Sequence, residues 1–321
     1  MRINHDVLRR STLQKNVHRW LKQRSVLGYA RNRFNWHVNT RLYNVPAHPY
    51  HVDIELCSRC NLKCPMCFRE HREIPNQNVM SFDMFKQIID EIEGKVYSIK
   101  FTGRGEPLMH REFATFIDYL NGKAFGEVAM ITNGQLLNKE KMKAVIEAGM
   151  DFISFSIDGL KEQYEQIRHP GKYEDIVATV TELHAMRRAL GVSKPLIRVQ
   201  SVMIPPEQQE EFLKIWGPIS DDIFFLHFKD YAAGAENIQK ENYACPMPVQ
   251  RMMIHWDGTV PMCINDEYED AVIGKLDTQS VEDIWRGERF EWVRGAHKRG
   301  ERTKFFKNCA KCPLTRVGHG D

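Results

Sequence analysis

No apolar run in the 321-residue chain reaches the roughly 20 residues that a bilayer span requires. The opening stretch, MRINHDVLRRSTLQKNVHRWLKQR, lacks the apolar core of a secretory signal. These two absences point to a cytoplasmic chain with no transmembrane segment. An excess of one charge is missing as well: 45 Lys and Arg face 42 Asp and Glu, a balance that argues against a nucleic-acid partner. Internal repeats and low-complexity tracts are absent. One local imbalance remains. Residues 1–49 are rich in Arg and Lys and carry a single acid, Asp6, so they form either a solvated basic helix packed on the main domain or a contact to an anionic partner, membrane surface or charged substrate.

What is present is 42% apolar content, enough for one sizeable α/β domain and a smaller module. From about His51, short β-type runs alternate with helical patterns, the signature of a parallel sheet with crossover helices. Six strands are expected, at Val52–Leu56, Tyr97–Thr102, Glu127–Thr132, Asp151–Ile157, Leu196–Met203 and Ile223–Phe228. After the first of them, Ser81 is placed to cap a helix whose apolar face is Phe82, Phe85, Ile88, Ile89 and Ile92. Gly149 and Gly191 close the helical patterns that begin at Asn138 and Tyr173. Six β/α units fall short of the eight that close a full barrel, so the expected fold is a partial (β/α)6 TIM-like barrel with its site at the C-terminal strand ends. The alternation stops near Lys229 and a cysteine-bearing, loop-rich stretch follows. The expected division is therefore a basic extension over 1–49, the barrel over 50–230 and a metal-held module over 231–321.

Eight cysteines in a reducing compartment, grouped rather than scattered, suggest metal ligation rather than disulfides. The first group, Cys57-Ser-Arg-Cys60-Asn-Leu-Lys-Cys64-Pro-Met-Cys67, follows the first strand directly. Two ligations fit it. Cys60, Cys64 and Cys67 can hold three irons of a 4Fe–4S cube and leave the fourth open; alternatively, Cys57, Cys60, Cys64 and Cys67 make a zinc site.

The C-x3-C-x2-C spacing after the first strand resembles the hallmark of the radical S-adenosylmethionine (radical SAM) family. The resemblance implies that Cys60, Cys64 and Cys67 bind a cluster whose open iron chelates S-adenosylmethionine, the source of a 5′-deoxyadenosyl radical. It places Met66 at the hydrophobic position before the last ligand and Phe68 near the adenine. Thr102-Gly103-Arg104-Gly105-Glu106-Pro107 is similar to the family's GGEP motif, with Arg104 where a glycine is usual. By that match Gly105 lets the backbone approach the cofactor and Glu106 accepts from the methionine ammonium. Arg104 either faces substrate or is tolerated. Thr132 and Asn133, in Ile-Thr-Asn-Gly, and Ser156, in Ser-Phe-Ser-Ile-Asp-Gly, are the polar candidates for the ribose or methionine carboxylate, although Asn-Gly and Asp-Gly are also plain turn signals. Arg168 has two readings, a substrate or cofactor contact and a surface ion pair.

The second group is Cys245-Pro, Gly258-Thr-Val-Pro-Met-Cys263 and Cys309-Ala-Lys-Cys312. Four thiolates from three loops can close a complete 4Fe–4S cube, or bind zinc. The arrangement resembles the shortened SPASM module called twitch, found in the subgroup that includes 2-deoxy-scyllo-inosamine dehydrogenase. No cysteine follows Cys312, so one auxiliary cluster is expected, for two [4Fe–4S] clusters in all, with Cys57 spare. The resemblance implies oxidation of a secondary alcohol on a sugar, cyclitol or nucleotide-linked sugar, with the auxiliary cluster accepting an electron and a flavodoxin or ferredoxin as donor. Loops at the barrel top, the twitch module and the N-terminal segment are expected to cap the site. The alternatives are an epimerase, which lacks an obvious thiol on the far face; a peptide maturase, which lacks room for a leader-binding domain; and a zinc-stabilised binding protein.

Overall fold

The computed structural model describes residues 26–74, 76–226 and 244–312. Short apolar-rich runs pair side by side because each parallel strand can satisfy its backbone only through neighbours on both sides. In order along the chain these are β1 (His51–Ile54), β2 (Ser98–Phe101), β3 (Glu127–Thr132), β4 (Phe152–Ser156), β5 (Leu196–Ser201) and β6 (Asp222–Phe225). All six expected strands are present, most of them shorter at one or both ends, and residues 227–228 of the last expectation lie outside the described residues. So does the expected boundary at 230.

One strand was not foreseen. Arg251–Ile254, in the stretch read as lacking alternation, forms β7 and pairs in parallel with β1, giving a seven-stranded sheet in the order β6-β5-β4-β3-β2-β1-β7. The reason it escapes a periodicity reading is that Met252, Met253 and Ile254 are all buried, so no polar alternation marks it. The sheet stays open, with β6 and β7 at its edges. A small antiparallel pair, β8 (Thr259–Pro261) and β9 (Val272–Lys275), follows.

The helices cover the outer face. Ser81 caps the helix Phe82–Ile92 by accepting a hydrogen bond from the Met84 amide at 3.2 Å, and Phe85, Ile88, Ile89 and Ile92 are buried against the sheet. Burial of each such side chain stabilises by about 1.5–3 kcal/mol. Gly149 (φ +63°) and Gly191 (φ +66°) stop their helices in the left-handed conformation that residues with a Cβ resist. Val52, Ile54 and Leu56 join this outer core, whereas their neighbours Asp53 and Glu55 are just as buried but belong to the polar inner face. A charged residue at every second strand position therefore marks a barrel interior here instead of a solvent face.

The N-terminal segment helps seal this interior from below. Its helix Val26–Phe34 and the turn Asn35–Asn39 bring Tyr29, Asn32, Arg33 and Trp36 to a cavity that is also lined by His51, Ser98, Glu127 and Arg251, all at the starts of their strands. Trp36 packs edge-on against His51 and beneath the Arg251 guanidinium. The expectation that this segment caps the top is therefore corrected for residues 26–39: they close the opposite end, because their apolar ring has its partners at the strand starts. Among the described residues no helix is long and apolar enough to cross a membrane.

Candidate active site

The loop that leaves β1 carries the first cysteines, and the tips of β2 and β3 brace it. Gly105 lies so close beneath it that a Cβ there would come within 2.3 Å of the Arg59 carbonyl oxygen and 2.5 Å of that of Cys57. The next amide, of Glu106, donates to the Arg59 carbonyl at 2.8 Å. The close approach expected of Gly105 is thus to the cysteine loop's own backbone.

Glu106 is buried and ties three segments together. Its carboxylate accepts from the Leu108 amide (3.1 Å), the Thr132 hydroxyl (2.6 Å) and the Asn133 amide (2.8 Å). Burial raises its pKa, against the pull of these donors. Asn133 turns its amide nitrogen to Asn61 Oδ1 at 2.8 Å and to the Cys60 sulfur at 3.9 Å. Thr132, Asn133, Glu106 and Cys60 therefore form one connected group. Ser156 stands apart from it, bonded to Gln200 at 3.2 Å.

All eight cysteines are free thiols. Burial raises the thiols of Cys60 (to about 11), Cys64 and Cys67, and each feels the charge of another member of the trio. Cys57 turns its sulfur to the backbone of Arg59 instead. Arg168 is partly buried and ion-paired: Asp158 holds its guanidinium, with Nε to Oδ2 at 2.9 Å, and its charge favours the Cys64 thiolate. Asp158 is itself anchored by the Ser201 hydroxyl and the Val202 amide. Met66 is half-buried in the loop. Phe68 packs edge-on against Tyr268 at 6.0 Å, and the Tyr268 hydroxyl donates to the Phe68 carbonyl at 2.7 Å, so the C-terminal segment pins the end of the loop.

Arg104, the residue that departs from the expected motif, is buried between two carboxylates. Its Nη2 is 2.7 Å from Glu55 Oε1, its Nε 2.9 Å from Glu55 Oε2, and its Nη1 2.6 Å from Glu269. His255 completes the set through Nδ1 at 2.8 Å from Glu269. Burial opposes charge on Glu55, yet the Arg104 bonds and the nearby His255 hold its carboxyl below the usual range. This network joins β1 and β2 to the C-terminal segment. The visible signal for it was Glu55, an acid at an inward strand position.

Along the barrel axis runs a cavity of about 500 Å³. Its lower wall holds the Asp53 group, where a fully buried carboxylate takes Lys100 at 2.9 Å and His51 at 3.0 Å. Its upper wall includes Phe68, Arg104, His255, Asn265 and Glu267. Such a volume and polarity suit a polar small molecule.

The four C-terminal cysteines, Cys245, Cys263, Cys309 and Cys312, line one small cavity. Burial pushes Cys245 up to about 11 and Cys309 up to about 12, and raises Cys263 well above its ordinary value. His297, which bonds the Val293 carbonyl through Nδ1 at 2.8 Å, turns Nε2 to the Cys309 sulfur at 3.5 Å. Burial lowers its pKa to about 4. Met247 and Asn265 line both this cavity and the barrel cavity, so a single layer of side chains separates them. Asn265 bonds to the Cys263 sulfur through its amide at 3.4 Å and approaches the Cys312 sulfur at 4.0 Å.

Among the described residues no three His, Cys, Asp or Glu side chains converge closely enough to hold a single ion. Buried thiols in groups of three and four, with no partner disulfides, fit iron–sulfur ligation.

Comparisons with known proteins agree with this geometry. The profile of the radical SAM superfamily matches residues 54–215, and that of an iron–sulfur cluster-binding domain, SPASM, matches residues 245–313. The chain is 26% identical, over 81% of its length and 86% of the relative's, to a tungsten-containing aldehyde ferredoxin oxidoreductase cofactor-modifying protein of Pyrococcus furiosus. It is 33% identical to a probable GTP 3′,8-cyclase of Methanococcus maripaludis, over 38% of its own length and 41% of the cyclase. Among solved structures, BtrN in complex with AdoMet and 2-DOIA shares the fold with a TM-score of 0.57 at 17% identity, over 83% of this chain and 92% of that one. Streptococcus suis SuiB bound to the precursor peptide SuiA gives a TM-score of 0.62 at 13% identity, over 90% of this chain and 79% of that one.

Proposed function

The chain belongs to the radical SAM superfamily, and on that premise we propose that it oxidises a secondary alcohol of a sugar, cyclitol or nucleotide-linked sugar to a ketone. The observation that carries this reading is the wall shared by the two cavities, formed by Met247 and Asn265. A polar substrate in the barrel then lies one side-chain layer from a site with four thiolates and no open position, whose natural role is to take an electron.

Cys60, Cys64 and Cys67 would hold the first cluster, with Glu106, Thr132, Asn133 and Ser156 toward S-adenosylmethionine; when bound, these groups supply a hydrogen-abstracting radical. The protein's own part is to orient and to balance charge. Glu106 and Asn133 lock the loop's position relative to β2 and β3. Arg168, fixed by Asp158, offsets negative charge beside Cys64. His255, on the upper wall with Nδ1 occupied by Glu269, receives the hydroxyl proton in this reading. Removing one hydrogen atom, one proton and one electron from the alcohol balances its conversion to a ketone. Cys245, Cys263, Cys309 and Cys312 would hold a single auxiliary cluster for that electron.

The test is anaerobic reconstitution, iron and sulfide analysis, and incubation of the reduced protein with S-adenosylmethionine and a panel of sugars, aminocyclitols and nucleotide sugars. One 5′-deoxyadenosine and one ketone per turnover, both lost in a Cys60/Cys64/Cys67→Ala triple variant, is the expected result. Epimers without ketone, or a modified peptide, would replace this reading; zinc without iron would remove it.

A further inference from the structure

We propose that the face around Trp292 and Phe305 docks an acidic one-electron carrier protein that takes up the electron received by the C-terminal cysteine site. This rests on the electron-accepting role given to that site above. With four protein ligands and no open position, the site regenerates by passing its electron on, and a row of rings gives it an outward route.

A continuous row of rings leads from one of its ligands to solvent. His297 Nε2 lies 3.5 Å from the Cys309 sulfur. The His297 ring packs against buried Phe306 at 5.4 Å between centroids, and Phe306 against Trp292 at 5.1 Å. Trp292 is 51% exposed, and beside it, at 5.5 Å, Phe305 is 49% exposed. Two large aromatics side by side in water are uncommon unless something covers them.

The charge around them says what would. From Lys298 to Lys311 the chain carries six bases and one acid, Glu301, although the whole molecule is nearly balanced. Arg302 is buried, but Lys298, Arg299, Lys304 and Lys307 are exposed. Glu301 pairs with both Arg299 and Lys304, so its single negative charge is outnumbered locally. Glu288 and Glu291 sit on the preceding part of the Glu288–Lys298 helix and bound the basic rim on that side. An aromatic centre with a basic rim complements an acidic protein and steers its approach. The step moves one electron from the cysteine site to the oxidised carrier, with no bond made or broken.

The experiment uses the reconstituted full chain in the Cys60/Cys64/Cys67→Ala background, reduced and freed of reductant, mixed with oxidised flavodoxin in a stopped-flow instrument. The flavin semiquinone reports the electron. We expect a bimolecular rate that falls steeply with salt, drops about tenfold in Lys304→Glu/Lys307→Glu with loss of the salt dependence, and drops similarly in Trp292→Ser. Charge reversal at exposed Lys139 and Lys214, outside this segment, should change nothing. Equal rates in the face variants and the parent overturn the proposal, as does a face whose variants lose binding only to phosphatidylglycerol-containing vesicles. Face-dependent transfer in a protein that oxidises no alcohol would remove the substrate reading and leave the docking face standing.

Discussion

The two cysteine sites are built on opposite plans. Cys60, Cys64 and Cys67 lie on one short loop whose backbone rests on Gly105 and is locked through Glu106 and Asn133 to neighbouring strand tips. Cys245, Cys263, Cys309 and Cys312 come from separate places: the residues just before the helix Met247–Gln250, the turn after β8, and the short helix Lys307–Lys311 and its end. The first site is pre-shaped by the sheet, whereas the second is gathered by packing and has no sheet beneath its last two ligands. Metal should therefore matter for chemistry at the first and for folding at the second.

The sharpest way to break that contrast is Cys309→Ser. It should remove the auxiliary iron, abolish ketone formation and leave uncoupled 5′-deoxyadenosine release, while hydrogen exchange rises across residues 281–312 and not across the barrel strands. Uniform exchange would mean the two sites are equally dependent on metal.

Next in size is Arg104→Met, because Arg104 joins the two regions through Glu55 and Glu269. Leaving Glu55 buried and Glu269 half-buried without their shared cation should cost about 3–5 kcal/mol in a denaturant titration. The pH dependence supplies the sign. Burial opposes the charge of Glu55 and of Glu269, but in both the nearby Arg104 and His255 win and the folded pKa is lowered. Their contribution is thus present above the unfolded value, about 4.3, and lost as pH falls through the folded pKa. In Arg104→Met the folded pKa of Glu55 should rise while His255 still lowers that of Glu269, and the gain of stability with pH in the acid range should shrink.

Gly105→Ala tests the pre-shaping itself. A methyl group directed at the Arg59 and Cys57 carbonyls forces the loop to move, at a cost of about 1–3 kcal/mol. Iron retention should fall at the first site and stay constant at the second, read by iron analysis and spectroscopy against the parent protein. The smallest effect belongs to Ser81→Ala, which removes a helix cap two residues beyond the Cys57–Val79 bridge and should cost about 1 kcal/mol without altering iron content. Any change in metal there would show that the barrel and its loop are less separable than their contacts indicate.

How far the sequence could be read follows the same division. The first loop was legible because a contiguous motif after a strand constrains its own geometry, and Glu106, Thr132 and Asn133 sit on adjacent strand ends. The Ser81 cap and the stops at Gly149 and Gly191 were legible for the same local reason. β7 was not, since three buried apolar residues in a row have no period. Arg104 could be seen to depart from its motif, but its partners lie at Glu55 and Glu269, far apart in the chain. The N-terminal segment read as a basic helix, yet nothing in its charge pattern said which end of the barrel Trp36 would meet.

By itself, then, the sequence determined the parallel α/β alternation, the two sets of thiolates and the strand-end residues beside the first, because spacing and local turn chemistry act over a few residues. Only the tertiary structure decided that β7 completes the sheet beside β1, that Asn265 and Met247 stand between two cavities, and that His297, Phe306 and Trp292 line up from Cys309 to the surface. Those arrangements arise from contacts between segments brought together by burial of a common core, and no local pattern encodes which distant side chain will be the neighbour.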